Sequence, residues 1–202
     1  MDSKASVSLA IASAGQMRAL GRTLARLLRP GDLVILSGGL GAGKTTLTQG
    51  IGDGLGVRGP VTSPTFVIAR VHPPVPGAAG GAADAGPLLA GPRPALVHAD
   101  AYRLGSAVEL DDLDLDTDTA ASVTVVEWGE GLAEGLAADR LEITITPDRA
   151  GPGSGPAPDD TTAADSASGD NAADTPRTVR ISAVGERWEG VKLPLAGAAD
   201  RL

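Results

Sequence analysis

Cysteine is absent from this chain of 202 residues, which excludes disulfides and thiolate metal sites and fits a reducing compartment. Aromatic residues are almost absent: Phe66, Tyr102, Trp128 and Trp188 are the whole set. The core must therefore be filled by Val, Ile, Leu and Ala, and each aromatic marks a position to be explained. No apolar run approaches the ~18 residues of a membrane-spanning helix. Positive charge is scarce, with 17 Lys and Arg against 25 Asp and Glu, a net charge of −8 and a pI near 4.7. That balance argues against general affinity for polyanions, because nucleic-acid binding ordinarily needs a basic face. An RNA target is expected to be reached through a partner protein. Near the N-terminus, Lys4, the stretch from Val7 to Ala12 and the Ala12-Ser13-Ala14 triplet imitate a secretory signal. Ser8 interrupts the apolar stretch and Asp2 offsets Lys4, so a cytoplasmic location is expected.

What is present reads as alternating strands and helices in one domain spanning 1–202, at a hydrophobic content of 42%. Residues 6–11 alternate as a half-buried strand, and Ser13 with Gln16 has capping-box spacing at the start of a helix. Met17, Leu20, Leu24, Leu27 and Leu28 give residues 14–28 one apolar face, ended by Pro30-Gly31. Leu33-Val34-Ile35-Leu36 is a continuous apolar run, the pattern of a strand buried on both faces. Residues 44–55 read as a helix closed by Gly56. Strands are predicted at 66–71, 95–99 and 123–126, with a short acidic helix over 106–112. Residues 141–146 and 178–184 alternate with period two and predict a closing antiparallel pair. With Gly38-Gly39-Leu40-Gly41-Ala42-Gly43-Lys44-Thr45, a G-x-x-x-x-G-K-T loop, between the strand at 33–36 and the helix at 44–55, the fold class implied is α/β, a P-loop NTPase with a mostly parallel central sheet flanked by helices and with added antiparallel strands.

Two stretches break this order. Residues 73–94 are almost all Pro, Gly and Ala and predict a flexible surface insertion. Residues 148–176 mix Gly, Pro, Ser, Ala, Thr and Asp without periodicity and predict a disordered, low-complexity insertion.

The chemistry concentrates at Gly38-Gly39-Leu40-Gly41-Ala42-Gly43-Lys44-Thr45. Strand, G-x-x-x-x-G-K-T and helix in succession form the context that a phosphate-binding loop requires, which makes the match far more specific than the letters alone. The glycines let successive N–H groups and the helix N-terminus point at phosphate oxygens. Lys44 is expected to reach the β- and γ-phosphates and the Thr45 hydroxyl to ligate Mg²⁺. Such a loop needs an acid at the end of a neighbouring strand, and Asp100 and Glu127 both follow apolar runs at that edge. Spacing leaves open which acid binds the ion and which polarises water. Thr62-Ser63-Pro64-Thr65 lies where many P-loop proteins keep a segment that senses the γ-phosphate, and a simple proline turn is an equal reading. His98 reads as a satisfied strand residue and Trp128 as a packing residue, both beside the site. Glu109, Asp111, Asp112, Asp114, Asp116 and Asp118 read as a solvated acidic face, with a partner surface as the sharper alternative.

GTP specificity of the Asn-Lys-x-Asp kind is excluded, since Asn171 is the sole Asn and lies in the low-complexity tract. ATP follows by elimination. A small-molecule kinase uses the same loop, but its usual Arg-bearing lid has only Arg93 to offer within 73–94. A nucleotide-gated binding module with incidental turnover is the other alternative.

Four pieces in order, Gly38-x-Leu-Gly-Ala-Gly-Lys-Thr-Thr46, Ser63-Pro-Thr-Phe66, His98-x-Asp100-x-Tyr102-Arg103-Leu104 and Val126-Glu127-Trp128, resemble the bacterial TsaE (YjeE) family. This is the P-loop ATPase of tRNA threonylcarbamoyladenosine biosynthesis. The resemblance spans residues 6–147 apart from the 73–94 insertion. It implies an ATP- and Mg²⁺-dependent, slow ATPase that supports the transferase subunit TsaD and its inactive paralogue TsaB, and meets tRNA only indirectly. By similarity Lys44, Asp100 and Glu127 are the catalytic residues, with Thr45 and Glu127, and Asp100 beside them, toward the metal. Ser13, Gly38, Gly41, Ala42, Gly43, Lys44, Thr45, Thr46 and Trp128 would contact nucleotide, and Ser63, Pro64 and Thr65 would form the switch. Gly39 departs from the family, which often has Asp there, as do the two insertions.

Overall fold

A computed structural model describes residues 5–76, 93–111, 121–148 and 175–194. The elements are β1 (Ala5–Ile11), α1 (Ala14–Ala25), β2 (Leu33–Ser37), α2 (Lys44–Leu55), β3 (Ala69–His72), β4 (Ala95–Asp100), α3 (Ala107–Asp111), β5 (Ser122–Glu127), β6 (Arg140–Pro147) and β7 (Arg177–Val184). Among the described residues seven strands form one sheet in the order β1-β7-β6-β2-β5-β4-β3. The four central strands are parallel, β6 to β2, β2 to β5 and β5 to β4. Antiparallel strands complete both sides, β7 and β1 beyond β6 and β3 beyond β4. This is the P-loop NTPase architecture that the order of elements predicts.

The sheet's two faces can be read along β2. Val34 and Leu36 join one buried cluster with Leu47, Ile51 and Leu55 of α2 and Met17, Leu20 and Leu24 of α1. Leu33 and Ile35 join another with Val97, Ala99, Leu110 and Val126. The period of two in a strand buried on both sides explains the unbroken apolar run. Helices α1 and α2 cover the first face in close contact, because a Cβ on Gly21 or Gly50 would strike backbone of the opposite helix. Glycines that lower the helix propensity of α2 thus set its distance from α1.

Ser13 caps α1, Gln16 N–H donating to Ser13 Oγ at 3.2 Å, and the Gln16 side chain reaches back one residue past the cap, where Ala12 N–H donates to its Oε1 at 2.7 Å. The helix ends at Ala25, so the apolar positions Leu27 and Leu28 lie in the turn that follows.

One boundary differs from the sequence reading. The strand expected at 66–71 begins at Ala69, because Val67 and Ile68 N–H both donate to Pro64 O and close a turn. Ile68 takes φ of +67° and Phe66 is 86% exposed, so β-propensity in Phe-Val-Ile is overridden by the Pro64 turn. Of the insertion expected at 73–94, residues 77–92 lie outside the described residues; Pro74 bridges Val57, and Arg93 packs against Gly56 at the far end of α2 from Lys44. Nearly all of 148–176 lies outside them too, its described ends joined by Asp148 N–H donating to Pro176 O at 2.8 Å. Asp112, Asp114, Asp116 and Asp118 also fall outside.

Candidate functional site

β2 ends at Ser37 and the chain turns through a glycine loop into α2. Gly38 has φ of +142° and faces Ile145 O so closely that a Cβ has no room, while Gly43, the residue before α2, has φ of +107°. Both conformations are ones that L side chains rarely adopt, so the loop's shape depends on glycine at these positions.

Three polar residues reach this loop from the neighbouring strands by simple alternation. In β4, His98 and Asp100 continue the parity of Leu96; in β5, Glu127 continues that of Val123 and Val125. Asp100 and Glu127 are paired in register. All three therefore project onto the face that α2 covers, where Lys44 and Thr45 begin that helix.

The resulting cleft has a volume of about 280 Å³ and is lined by Leu40 through Thr46, Ser63, Thr65, Asp100, Glu127 and Trp128. Thr45 Oγ1 donates to Glu127 Oε1 at 2.9 Å and lies 3.1 Å from Oε2, and His98 Nε2 meets Oε1 at 2.8 Å. Asp100 accepts from the hydroxyls of Thr65 and Ser63 and, at 3.0 Å, from Tyr102 N–H. Lys44 Nζ donates to Gly38 O at 2.8 Å and Gly39 O at 2.9 Å, and sits 3.6 Å from the centre of the Trp128 ring. Burial pushes the Lys44 ammonium below its ordinary range, and the charges of Glu127 and Asp100 partly offset this. Trp128 holds φ of +60°, its N–H on Leu36 O, and its ring lies 5.1 Å from that of Tyr102.

Of the residues expected at the site, Gly41, Ala42, Gly43, Lys44, Thr45, Thr46, Ser63, Thr65, Asp100, Glu127 and Trp128 come together in the cleft. Gly38 shapes the loop from behind, Pro64 supplies the turn carbonyl, and Ser13 caps α1 outside the lining. Leu40, 89% exposed, lines the cleft from within the glycine-loop motif, at a variable position to which the pattern gives no role of its own. Tyr102 carries its signal as one of four aromatics.

A family profile described as "Threonylcarbamoyl adenosine biosynthesis protein TsaE" matches residues 11–151. The chain belongs to the TsaE family. This TsaE-family chain is 53% identical over 173 residues to the tRNA threonylcarbamoyladenosine biosynthesis protein TsaE of Streptomyces coelicolor, covering 85% of this chain and 93% of that one. It is 33% identical to the protein of the same name from Bacillus subtilis strain 168, over 86% and 84% of the two chains. It superposes on the crystal structure of Bacillus subtilis YdiB with a TM-score of 0.59 at 27% identity, covering 94% of this chain and 91% of that one. No helix among the described residues is long and apolar enough to cross a membrane.

The donor set also bears on a cation. Among the described residues no group of three or more His, Cys, Asp or Glu side chains is placed to hold a metal alone. One hydroxyl and one carboxylate in contact, with a second carboxylate across the cleft, suit Mg²⁺, which takes one or two carboxylates and completes its shell with phosphate oxygens and water. The residues present fit an ion that arrives with a nucleotide.

Proposed function

We propose that this TsaE-family chain binds Mg²⁺–ATP in the glycine-loop cleft and hydrolyses it slowly, in support of tRNA threonylcarbamoyladenosine biosynthesis. The observation that carries this reading is the convergence of Lys44 and Thr45 at the start of α2 with Asp100 and Glu127 at adjacent strand ends. Loop amides and the α2 N-terminus would cradle the phosphates, and Lys44 would exchange the carbonyls of Gly38 and Gly39 for phosphate oxygens. Thr45 and Glu127 would hold the cation, whose chemistry is to neutralise charge on the transferring phosphoryl group. Asp100 would orient the attacking water, and its bonds to Ser63 and Thr65 would make that segment respond to the γ-phosphate. TsaD and TsaB are the partners this reading assigns, and they carry the chemistry on tRNA.

Calorimetric titration of ATP with Mg²⁺ into the full chain tests the reading. Lys44→Ala is expected to weaken binding about a hundredfold, two charge-assisted contacts to phosphate being lost. Undiminished affinity would overturn it. Glu127→Gln separates an ATPase from a nucleotide-gated module: loss of hydrolysis together with loss of tRNA modification supports turnover as the function, and modification intact without hydrolysis supports the module.

A further inference from the structure

His98 is fully buried in β4 among Leu96, Val97 and Ala99, a costly place for an imidazole. Its Nδ1 is buried and has no hydrogen-bond partner among the described residues. A ring proton on Nδ1 would have no acceptor, so the proton is assigned to Nε2, which then donates to Glu127 Oε1 at 2.8 Å. If packing were all that mattered, an apolar side chain would fill this position without an orphaned nitrogen. Among the described residues the ring makes one hydrogen bond, to Glu127, and that bond is what an apolar replacement would lose.

That contact is not symmetric between the two carboxylate oxygens. Oε1 takes the His98 bond and the shorter Thr45 distance, and among the described residues Oε2 has only the 3.1 Å approach of Thr45. Without His98 the buried carboxylate has one anchor, a hydroxyl that can rotate with it. With it, the carboxylate plane is fixed by groups from two different elements, β4 and α2.

We infer that His98 is a positioning residue for Glu127: its Nε2–H pins Oε1 and so holds the carboxylate in the orientation in which, with Thr45, it would hold the cation. The inference rests on the reading of Thr45 and Glu127 as the cation's ligands. Groups that orient a metal ligand in this way govern affinity although they never touch the ion.

The test uses the full chain with ADP and Mn²⁺, an ion whose binding is read directly by electron paramagnetic resonance. His98→Phe keeps ring and burial but removes the donor, and His98→Gln restores an N–H at the same reach. Thr45→Val benchmarks the loss of a ligand. His98→Phe is expected to weaken Mn²⁺ binding about tenfold or more, and His98→Gln to stay within about threefold of the parent. ADP affinity in EDTA should hold within about twofold in both, since loop amides and Lys44 are untouched. Thermal melting monitors folding, and if His98→Phe does not fold, His98→Asn, whose shorter amide cannot reach Glu127, replaces it. Parent-like Mn²⁺ affinity in His98→Phe, or a loss in His98→Gln equal to that in His98→Phe, overturns the inference. If Thr45→Val also leaves Mn²⁺ binding unchanged, the ligand assignment itself has failed, a result distinct from failure of His98 alone.

Discussion

Thr45 and Glu127 stand 82 residues apart in the chain, yet one hydroxyl lies within 3.1 Å of both oxygens of one buried carboxylate. The contact ties the first turn of α2 to the end of β5 within the lining of the cleft. Thr45→Val preserves shape and removes the hydroxyl. ATP affinity in the presence of Mg²⁺ is expected to fall about tenfold or more, while affinity in EDTA stays nearly constant. Paired calorimetric titrations check this, and an equal loss in both conditions would assign Thr45 to the phosphates instead. Stability should drop by about 1 kcal/mol for the lost hydrogen bond, read from urea unfolding.

The segment at 63–68 is held to the site by Asp100, which accepts from Thr65 and Ser63. Thr65→Val keeps volume and deletes the closer donor. Hydrogen exchange at Val67 and Ile68, whose amides donate to Pro64 O, should quicken about tenfold, the worth of one hydrogen bond to a charged acceptor. Overall stability should change by less than about 0.5 kcal/mol, because the segment contributes little to the core. Unchanged exchange would mean that the Pro64 turn is set by its own backbone and that Asp100 does not govern it.

How much of this was legible in the chain follows from how local each feature is. The loop from Gly38 to Thr46 is contiguous, so its residues and flanking elements declare it. Asp100 and Glu127 were legible because an acid after an apolar strand has a known place at the sheet edge. The start of β3 was misread because Phe66-Val67-Ile68 has strand propensity, whereas Pro64 O recruits two amides into a turn and leaves Phe66 in solvent. The contact of His98 with Glu127 was not legible, since a lone His in a strand gives no pairing information until register sets it diagonal to position 127. Equally hidden was Lys44 folded onto its own loop carbonyls and the Trp128 ring, a three-dimensional closure that spacing cannot express.

Helix α2 carries glycines at 50, 52 and 54, each at a close approach: Gly50 to Arg18 backbone, Gly52 to Val61 and Gly54 to Ala25 and Arg22. Gly50→Ala gains about 1 kcal/mol of helix propensity but drives a methyl into the backbone of α1. Overpacking of that kind costs roughly 1–3 kcal/mol, and because backbone cannot rotate away as a side chain can, the upper end applies. A net loss of about 2 kcal/mol is expected in urea unfolding. Gly15→Ala in α1, where a Cβ meets Ser13 Oγ at an ordinary 3.7 Å, is the control and should lose nothing. Equal behaviour of the two variants would refute close helix packing as the reason for glycine at position 50.

His72 supplies a test of pH dependence away from the cleft. It is buried in β3 with Nε2 lacking a hydrogen-bond partner among the described residues. Burial first, then His98 and Arg70, push its pKa below the ordinary 6.5. Just below pH 6.5 the unfolded chain therefore takes up a proton that the folded chain refuses. Stability is lost as pH falls through the window from 6.5 down to the depressed value, by at most about 1.4 kcal/mol per pH unit, and is unaffected by this group above it. His72→Leu removes the titrating group and its orphaned nitrogen together. Urea midpoints at pH 7.5 and 5.5 should therefore differ less in the variant than in the parent, the carboxylates contributing alike to both. Parallel loss of stability in the two proteins would show that His72 accepts its proton as readily folded as unfolded.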